Sequence, residues 1–211
     1  MNTIKRVLVG LDLTKMDEVI ITYVSFLNKI IDFDKVYFFH VAKNLELPES
    51  DLEKYPELLA PADETLEDFI EDKLEQFYTG SAEVSIQVLE GSAEDKIFRW
   101  SQIKEIDLIV VGRKSSLKGS GQLPNRLAKH GHCSILAVPE NATPQVKRVM
   151  VAVDFSRSSK TALNRALKMV GKARAHLLIQ NTYVVPVGHS KCGKSYEEFA
   201  DIIKGHCQNV V

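Results

Sequence analysis

Cysteine is scarce in this chain of 211 residues. Cys133, Cys192 and Cys207 are odd in number and widely separated. That excludes a disulfide framework and makes a reducing cytoplasm the simplest home. An excess of one charge is also missing. Lys and Arg number 27 against 28 Asp and Glu, so the balance gives no reason to expect nucleic acid or an acidic membrane surface as partner. Long apolar runs are absent too. No stretch approaches the length needed to cross a bilayer. The short run after Lys5-Arg6 is closed by Asp12, too early for the core of a secretory signal. Paired carboxylates, a Ser-His-Asp spacing and an activated thiol are likewise lacking, so no catalytic machinery is assigned.

What the chain does have is a regular alternation of strand and helix patterns. Ile4–Leu11 is a short, β-branched strand. Thr14 is placed to cap the next helix, its hydroxyl accepting from an orphan N–H. From Val19 to Ile31 apolar residues recur at helical spacing. Lys35–Val41 is nearly all apolar, the pattern of a strand buried on both faces of a parallel sheet. Residues 43–63 hold Pro48, Pro56 and Pro61 among acids and read as a partly extended excursion. Asp63 is expected to cap a helix running to about Tyr78, with Leu66, Phe69, Ile70, Leu74 and Phe77 on one face and Gly80 ending it.

Glu83–Glu90 alternates apolar with polar residues and predicts an edge strand. A helix comes next from Ala93 to about Lys104, with Ile97, Trp100 and Ile103 on its buried side. Leu108–Val111 is again a buried strand, breaking at Gly112 into a basic, glycine-rich loop with Arg113, Lys114, Lys118, Gly119, Ser120 and Gly121 and no acid. A short helix to about His130 has Pro124 in its first turn, where the missing N–H costs nothing. The strand Ser134–Val138 closes the series. Strand, basic loop and helix start together present backbone N–H groups to an anion. Strand–helix repeated four times plus a closing strand is the α/β signature, with helices on both faces of an open parallel sheet.

Glu140–Gln145 reads as a linker, and the segment beyond it repeats the beginning of the chain. Lys147–Ser156 lines up with Lys5–Thr14 in its basic pair, apolar run, aspartate and hydroxyl. A helix and a strand, His176–Val184, come next. This second copy is too short for more than two strands and two helices, and it has no counterpart of the Gly112–Gln122 loop. The expected organisation is a complete domain over 1–139, a linker over 140–146 and a partial second copy over 147–211. The half sheet exposes an apolar edge, which predicts pairing of the two copies or of two chains as a homodimer.

Several of these segments resemble the universal stress protein (UspA-like) family. They are the first strand ending Val-Gly-Leu-Asp12, Phe39-His40-Val41 closing the second, and Gly91-Ser92-Ala93-Glu94 before the third helix. Asp107-Leu-Ile-Val-Val-Gly112, Asn125-Arg126-Leu127 and Cys133–Val138 continue the match in order. The resemblance implies a five-stranded parallel sheet in the order 3-2-1-4-5, the adenine-nucleotide alpha-hydrolase-like fold. It also implies binding of ATP or another adenine nucleotide, with Mg²⁺ only alongside the nucleotide. The site would be the switch point between strands one and four, where ligands settle in such sheets. By analogy it would use Gly10, Leu11 and Asp12, the backbone of Val41, then Gly112, Arg113 and Ser115, and finally Gly121, Gln122 and Leu123. Asp12 would reach the ribose or adenine, Val41 the adenine edge, and the rest the ribose and phosphates. The sequence departs from the family's phosphate loop. Ser115 replaces its second glycine, five residues separate Ser115 from Gly121 where the family has nine, and Gln122 stands at a hydroxyl position. Losing a glycine removes a conformation open to φ > 0.

Two other motifs compete. Gly188–Ser195 matches the P-loop pattern in full, with Lys194 for phosphates and Ser195 for Mg²⁺. Pro186 precedes it, however, and too little chain remains after it for a second metal-binding strand. His189, Cys192, His206 and Cys207 have zinc-like composition, but His206 and Cys207 are adjacent and diverge on a helix. His40 reads as a satisfied core residue, and His130 and His132 as caps at a helix end. The readings in order are an adenine-nucleotide-binding stress protein, a nucleotide-independent scaffold acting through dimerisation and protein partners, and a P-loop nucleotidase using Gly188–Ser195.

Overall fold

The structure is a computed structural model that describes residues 4–42, 62–114, 122–185 and 189–208. The chain forms two compact units, Met1–Gln145 and Val146–Val211.

In the first unit five strands form one parallel sheet: β1 (Arg6–Leu11), β2 (Lys35–Ala42), β3 (Glu83–Glu90), β4 (Leu108–Arg113) and β5 (Ser134–Pro139). Their order is β3-β2-β1-β4-β5. The chain steps outward from β1 through β2 to β3, then returns to β4 on the other side of β1. That reversal makes β1 and β4 a topological switch point, and it is at the carboxyl ends of such strands that α/β sheets take ligands. Registers such as Leu8↔Tyr37 and Leu8↔Ile109 align the strands, so alternate residues share a face. One face buries Leu8, Tyr37, Phe39, Ile109 and Val111 with Ile97 and Leu127. Those last two come from α3 (Ala93–Ile103) and α4 (Gln122–His130). The opposite face, with Val7, Val9, Val36 and Phe38 fully buried, belongs to α1 (Met16–Ile30) and α2 (Ala62–Phe77).

Local expectations are corrected where packing decides. Helix α2 begins at Ala62, so Asp63 is its second residue and not its cap. Phe69 lies 45% exposed beneath the Lys73 ammonium, 4.9 Å from the ring centre. Gly80 does not take the left-handed conformation of a helix-ending glycine. A Cβ there would overlap the Tyr78 hydroxyl, so close packing explains it. Ile103 is 61% exposed. It lies six residues beyond Ile97, which turns it about 120° off that helix face. Gly112 is still within β4, and a Cβ would meet Met16 Cγ at 2.8 Å and Ile20 Cδ1 at 3.1 Å. It is small because α1 crosses there.

In the second unit β6 (Arg148–Val153) pairs in parallel with β7 (His176–Asn181), and α5 (Arg157–Ala173) connects them. The strand expected to reach Val184 ends at Asn181. A 3₁₀ turn, His189–Cys192, precedes α6 (Tyr196–Gln208). Val151, Val153 and Ala166 form the small core, with Leu163 and Leu177 against it. On the other face Met150 is 65% and Leu178 50% exposed. When Lys147–Ser156 is aligned with Lys5–Thr14, Met150 falls at the position of Leu8, and its strand partner Leu178 falls at that of Tyr37, the partner of Leu8. Leu8 and Tyr37 are buried on the face that α3 and α4 occupy.

Candidate functional site

Strand β1 ends at Leu11 and the chain reverses through Asp12, Leu13 and Thr14 into α1. Leu13 takes φ 58° to make the turn. Asp12 Oδ1 accepts from the Thr14 backbone N–H at 3.2 Å and from the Thr14 hydroxyl at 2.6 Å. The Thr14 hydroxyl oxygen accepts in turn from the Met16 N–H at 3.2 Å. Lys15, and not Thr14, is the cap position of α1, and its side chain makes no capping bond. Thr14 therefore does the expected capping chemistry from one residue further out.

The second carboxylate oxygen of Asp12 accepts from Lys114 Nζ, at the end of β4, at 2.5 Å. Burial pushes the Asp12 carboxyl up, but the bonds from Lys114 and Thr14 and the Lys114 charge outweigh it and hold the group below the ordinary aspartate range. Beneath the turn lies Asp17, fully buried. Its Oδ1 accepts from the Asp12 N–H at 3.1 Å and its Oδ2 from Lys73 Nζ on α2 at 3.1 Å. Burial raises its carboxyl above the usual range, and those two donors offset the rise only in part.

The remaining expected residues divide by position. Gly10 and Leu11 end β1, Val41 lies near the end of β2, and Gly112 and Arg113 end β4. A Cβ on Gly10 would meet Val111 Cγ1 at 3.2 Å. His40 Nδ1 donates to the Leu11 carbonyl at 3.0 Å, since that oxygen can only accept. This bond joins the ends of β1 and β2. Gln122 and Leu123 are the first residues of α4, whose first turn holds no acid. Arg126 of α4 is tied to Glu94 of α3 at 2.9 Å. Ser115, Lys118 and Gly121 lie outside the described residues. The topology thus gathers Gly10, Leu11, Asp12, Val41, Gly112 and Arg113 at one end of the sheet.

A 370 Å³ cavity is lined by Thr14, Lys15, Met16, Val19, Lys114 and Glu140. Among the described residues, none of those expected at the site lines it. It lies against the first turn of α1, whereas Gly10 faces Ile97 of α3 and Leu123 packs on the α3–α4 face. Lys114 reaches both places.

Sequence reasoning missed Asp17 and Lys73. The second unit held a signal for Asp17: Ser159 comes five residues after Asp154 as Asp17 does after Asp12, and its hydroxyl accepts from the Asp154 N–H at 3.4 Å. Phe155, with φ 63°, matches Leu13. The Gly193-Lys194-Ser195 segment has another explanation as well. Ser195 Oγ accepts from the Glu198 N–H at 3.2 Å, and Glu198 accepts from the Ser195 N–H at 2.8 Å. This is a capping box for α6, legible as Ser-x-x-Glu, and it gives the Ser195 N–H to a carboxylate. Gly188 lies outside the described residues. Among the described residues no group of three or more His, Cys, Asp or Glu side chains is arranged to hold a metal ion, and no helix is long and apolar enough to cross a membrane.

The profile of the universal stress protein family matches residues 3–139. The chain belongs to that family. A universal stress protein from Archaeoglobus fulgidus DSM 4304 superposes with a TM-score of 0.63 at 17% identity, covering 97% of this chain and 74% of that one. The universal stress protein UspA from Lactobacillus plantarum gives 0.54 at 18% identity, covering 65% of this chain and 99% of that one. No curated protein matches the chain in sequence. At these identities the solved structures speak for the fold alone. In this universal stress protein the β3-β2-β1-β4-β5 sheet is thus the family's sheet, and Asp12 stands at its switch point.

Proposed function

We propose that this universal stress protein binds an adenine nucleotide at the carboxyl ends of β1 and β4, as a regulatory ligand and not as a substrate for turnover. The observation that carries the reading is Asp12. Its carboxylate is kept ionised, oriented by Thr14 and bridged to Lys114 across the crevice where α/β sheets take ligands. In the bound state Asp12 accepts from the ribose hydroxyls, and Lys114 moves from the carboxylate to the phosphates. Val41 offers backbone groups to the adenine, and the start of α4 offers N–H groups to phosphate. Mg²⁺ enters only with the nucleotide. The test is titration calorimetry of the full chain with ATP, ADP and AMP, alongside Asp12→Ala. Saturable binding that Asp12→Ala abolishes is expected, and no heat at millimolar ligand would end the reading.

A second reading is favoured by the open face of the second unit. We propose 147–211 as a partial copy of the 1–139 domain, joined by a linker over 140–146. Met150 and Leu178 lie bare where Leu8 and Tyr37 are covered. A scaffold that pairs copies or binds protein through this surface needs no nucleotide. Light scattering across a concentration series tests it, with a dimer that Met150→Lys dissociates as the expected result.

A further inference from the structure

We propose that Asp17 and Lys73 are positioning residues for the Asp12 turn, and that they make ligand affinity at Asp12 depend on the docking of α2. The inference rests on the nucleotide reading and adds to it the element that regulates the site.

Building the turn does not require an acid beneath it. In the second unit a hydroxyl, Ser159, accepts the equivalent N–H, and Asp154, Phe155 and Ser156 trace the same reversal. An aspartate in that place must be taken out of water, which is costly unless it is paired. What the acid adds is a seat for an ammonium from another helix. Lys73 belongs to α2 and is 56 residues away from Asp17. Its Nζ donates to Asp17 Oδ2 at 3.1 Å and to the Thr14 carbonyl at 3.0 Å, and it lies over the Phe69 ring. One cation therefore grips the turn at Thr14 and the α1 carboxylate beneath it, from a helix that contributes nothing else named to the site. Its side chain is only 13% exposed, and that of Asp17 is 0% exposed, so water screens the pair little.

The Asp12 N–H and carboxylate belong to one residue. Asp17 holds the first and thereby sets where the second points. Withdrawal of α2 would take the Lys73 cation from Asp17 and from the Thr14 carbonyl and so loosen the residue that engages the ligand. Linkage makes the effect reciprocal: a ligand that fixes Asp12 must favour the docked α2.

The test uses the full chain as wild type, Lys73→Met, Asp17→Ala, Asp17→Ser and the double variant Asp17→Ser/Lys73→Met. ATP affinity is read by calorimetry, folding by thermal melts, and α2 by hydrogen exchange with and without ATP. Lys73→Met is expected to weaken ATP about tenfold, the scale of losing a hydrogen bond to a charged group. The double variant, whose serine copies Ser159 of the second unit, is expected to return to within about threefold of wild type, because the two changes share one interaction. ATP should protect α2 in the wild type and no longer do so in the double variant. A merely structural pair would lower the melting temperature and leave affinity and ATP-dependent protection as they were, and that result overturns the proposal. If wild type itself binds no ATP, the nucleotide reading fails separately. The positioning claim is then read in the ligand-free protein, where the Asp12 amide should exchange faster in Asp17→Ala than in Asp17→Ser. Equal exchange in the two overturns it; if Asp17→Ala does not fold, Lys73→Met is compared with wild type, where faster exchange of the Asp12 amide in the variant is expected and equal exchange overturns the proposal.

Discussion

Lys114 Nζ stands 2.5 Å from Asp12 Oδ2, an ion pair between residues 102 positions apart that closes the end of β4 onto the turn after β1. The Asp12 side chain is 52% exposed, so the pair contributes little to folding, at most about 1 kcal/mol. Its effect is on the site. Lys114→Met is expected to move the Asp12 carboxyl upward, since it removes the largest of the influences that lower it. It should weaken ATP while leaving adenosine binding unchanged or improved, because the lost cation served the phosphates and the freed carboxylate serves the ribose. Calorimetry with the two ligands checks this. Equal loss for both would contradict the assignment of Lys114 to phosphate.

Asp12 and Asp17 are expected to titrate on opposite sides of the ordinary aspartate value, Asp12 below and Asp17 above it. The signs differ in their consequences for folding. Asp12 contributes stability above its unfolded pKa of about 4, and that contribution is lost as pH falls through its lowered folded value. Asp17 binds its proton more tightly in the folded state. Its contribution is therefore full below the unfolded value and is lost as pH rises through the raised one. Carboxyl ¹³C titration reads both groups directly. Urea melts should show wild-type stability falling more steeply, or rising less, than that of Asp17→Asn in the range just above pH 4.

Gly112→Ala should cost about 1–3 kcal/mol, the range for forcing a methyl into a packed core. The new methyl would press on Met16 Cγ and Ile20 Cδ1. Because Met16 is the nearer and more flexible neighbour, Met16→Ala combined with Gly112→Ala should cost less than the sum of the single changes. Urea denaturation of the four proteins measures the coupling, and strict additivity would show that the methyl finds room elsewhere.

Ser195→Ala should destabilise α6 locally by about 1 kcal/mol through loss of its cap. Hydrogen exchange of the α6 amides reports it. Lys194→Ala is expected to leave any ATP affinity unchanged. A loss of affinity there would restore the P-loop reading of Gly188–Ser195.

Thiol labelling and then peptide mass analysis should find Cys192 modified well before Cys133. Cys192 is exposed, whereas Cys133 is half-buried and its thiol is pushed up by burial. Equal rates would indicate that β5 opens readily at its start.

The sequence alone determined the elements and their order, because these are written in local spacing. The apolar runs of β1, β2 and β4, the alternation in β3 and the helical periodicity of α1 are all decided by near neighbours along the chain. The Asp-x-Thr and Asp-x-Ser turns also lie within a few residues, and so the reversal after β1 was legible, whereas Asp12 as a ligand residue came only from the family resemblance. What depended on contacts across the fold was not. Ile103 falls on the solvent side, Gly80 and Gly112 are small because Tyr78 and α1 press on them, and the Ser195 N–H of the phosphate-like motif is taken up by Glu198. The lysine partners of Asp12 and Asp17 come from 102 and 56 residues away. A lysine on one helix and an acid on another carry no spacing rule that joins them. Only the reversal of strand order at β1 brings Lys114 beside Asp12, and only the packing of α2 on α1 seals Lys73 against Asp17.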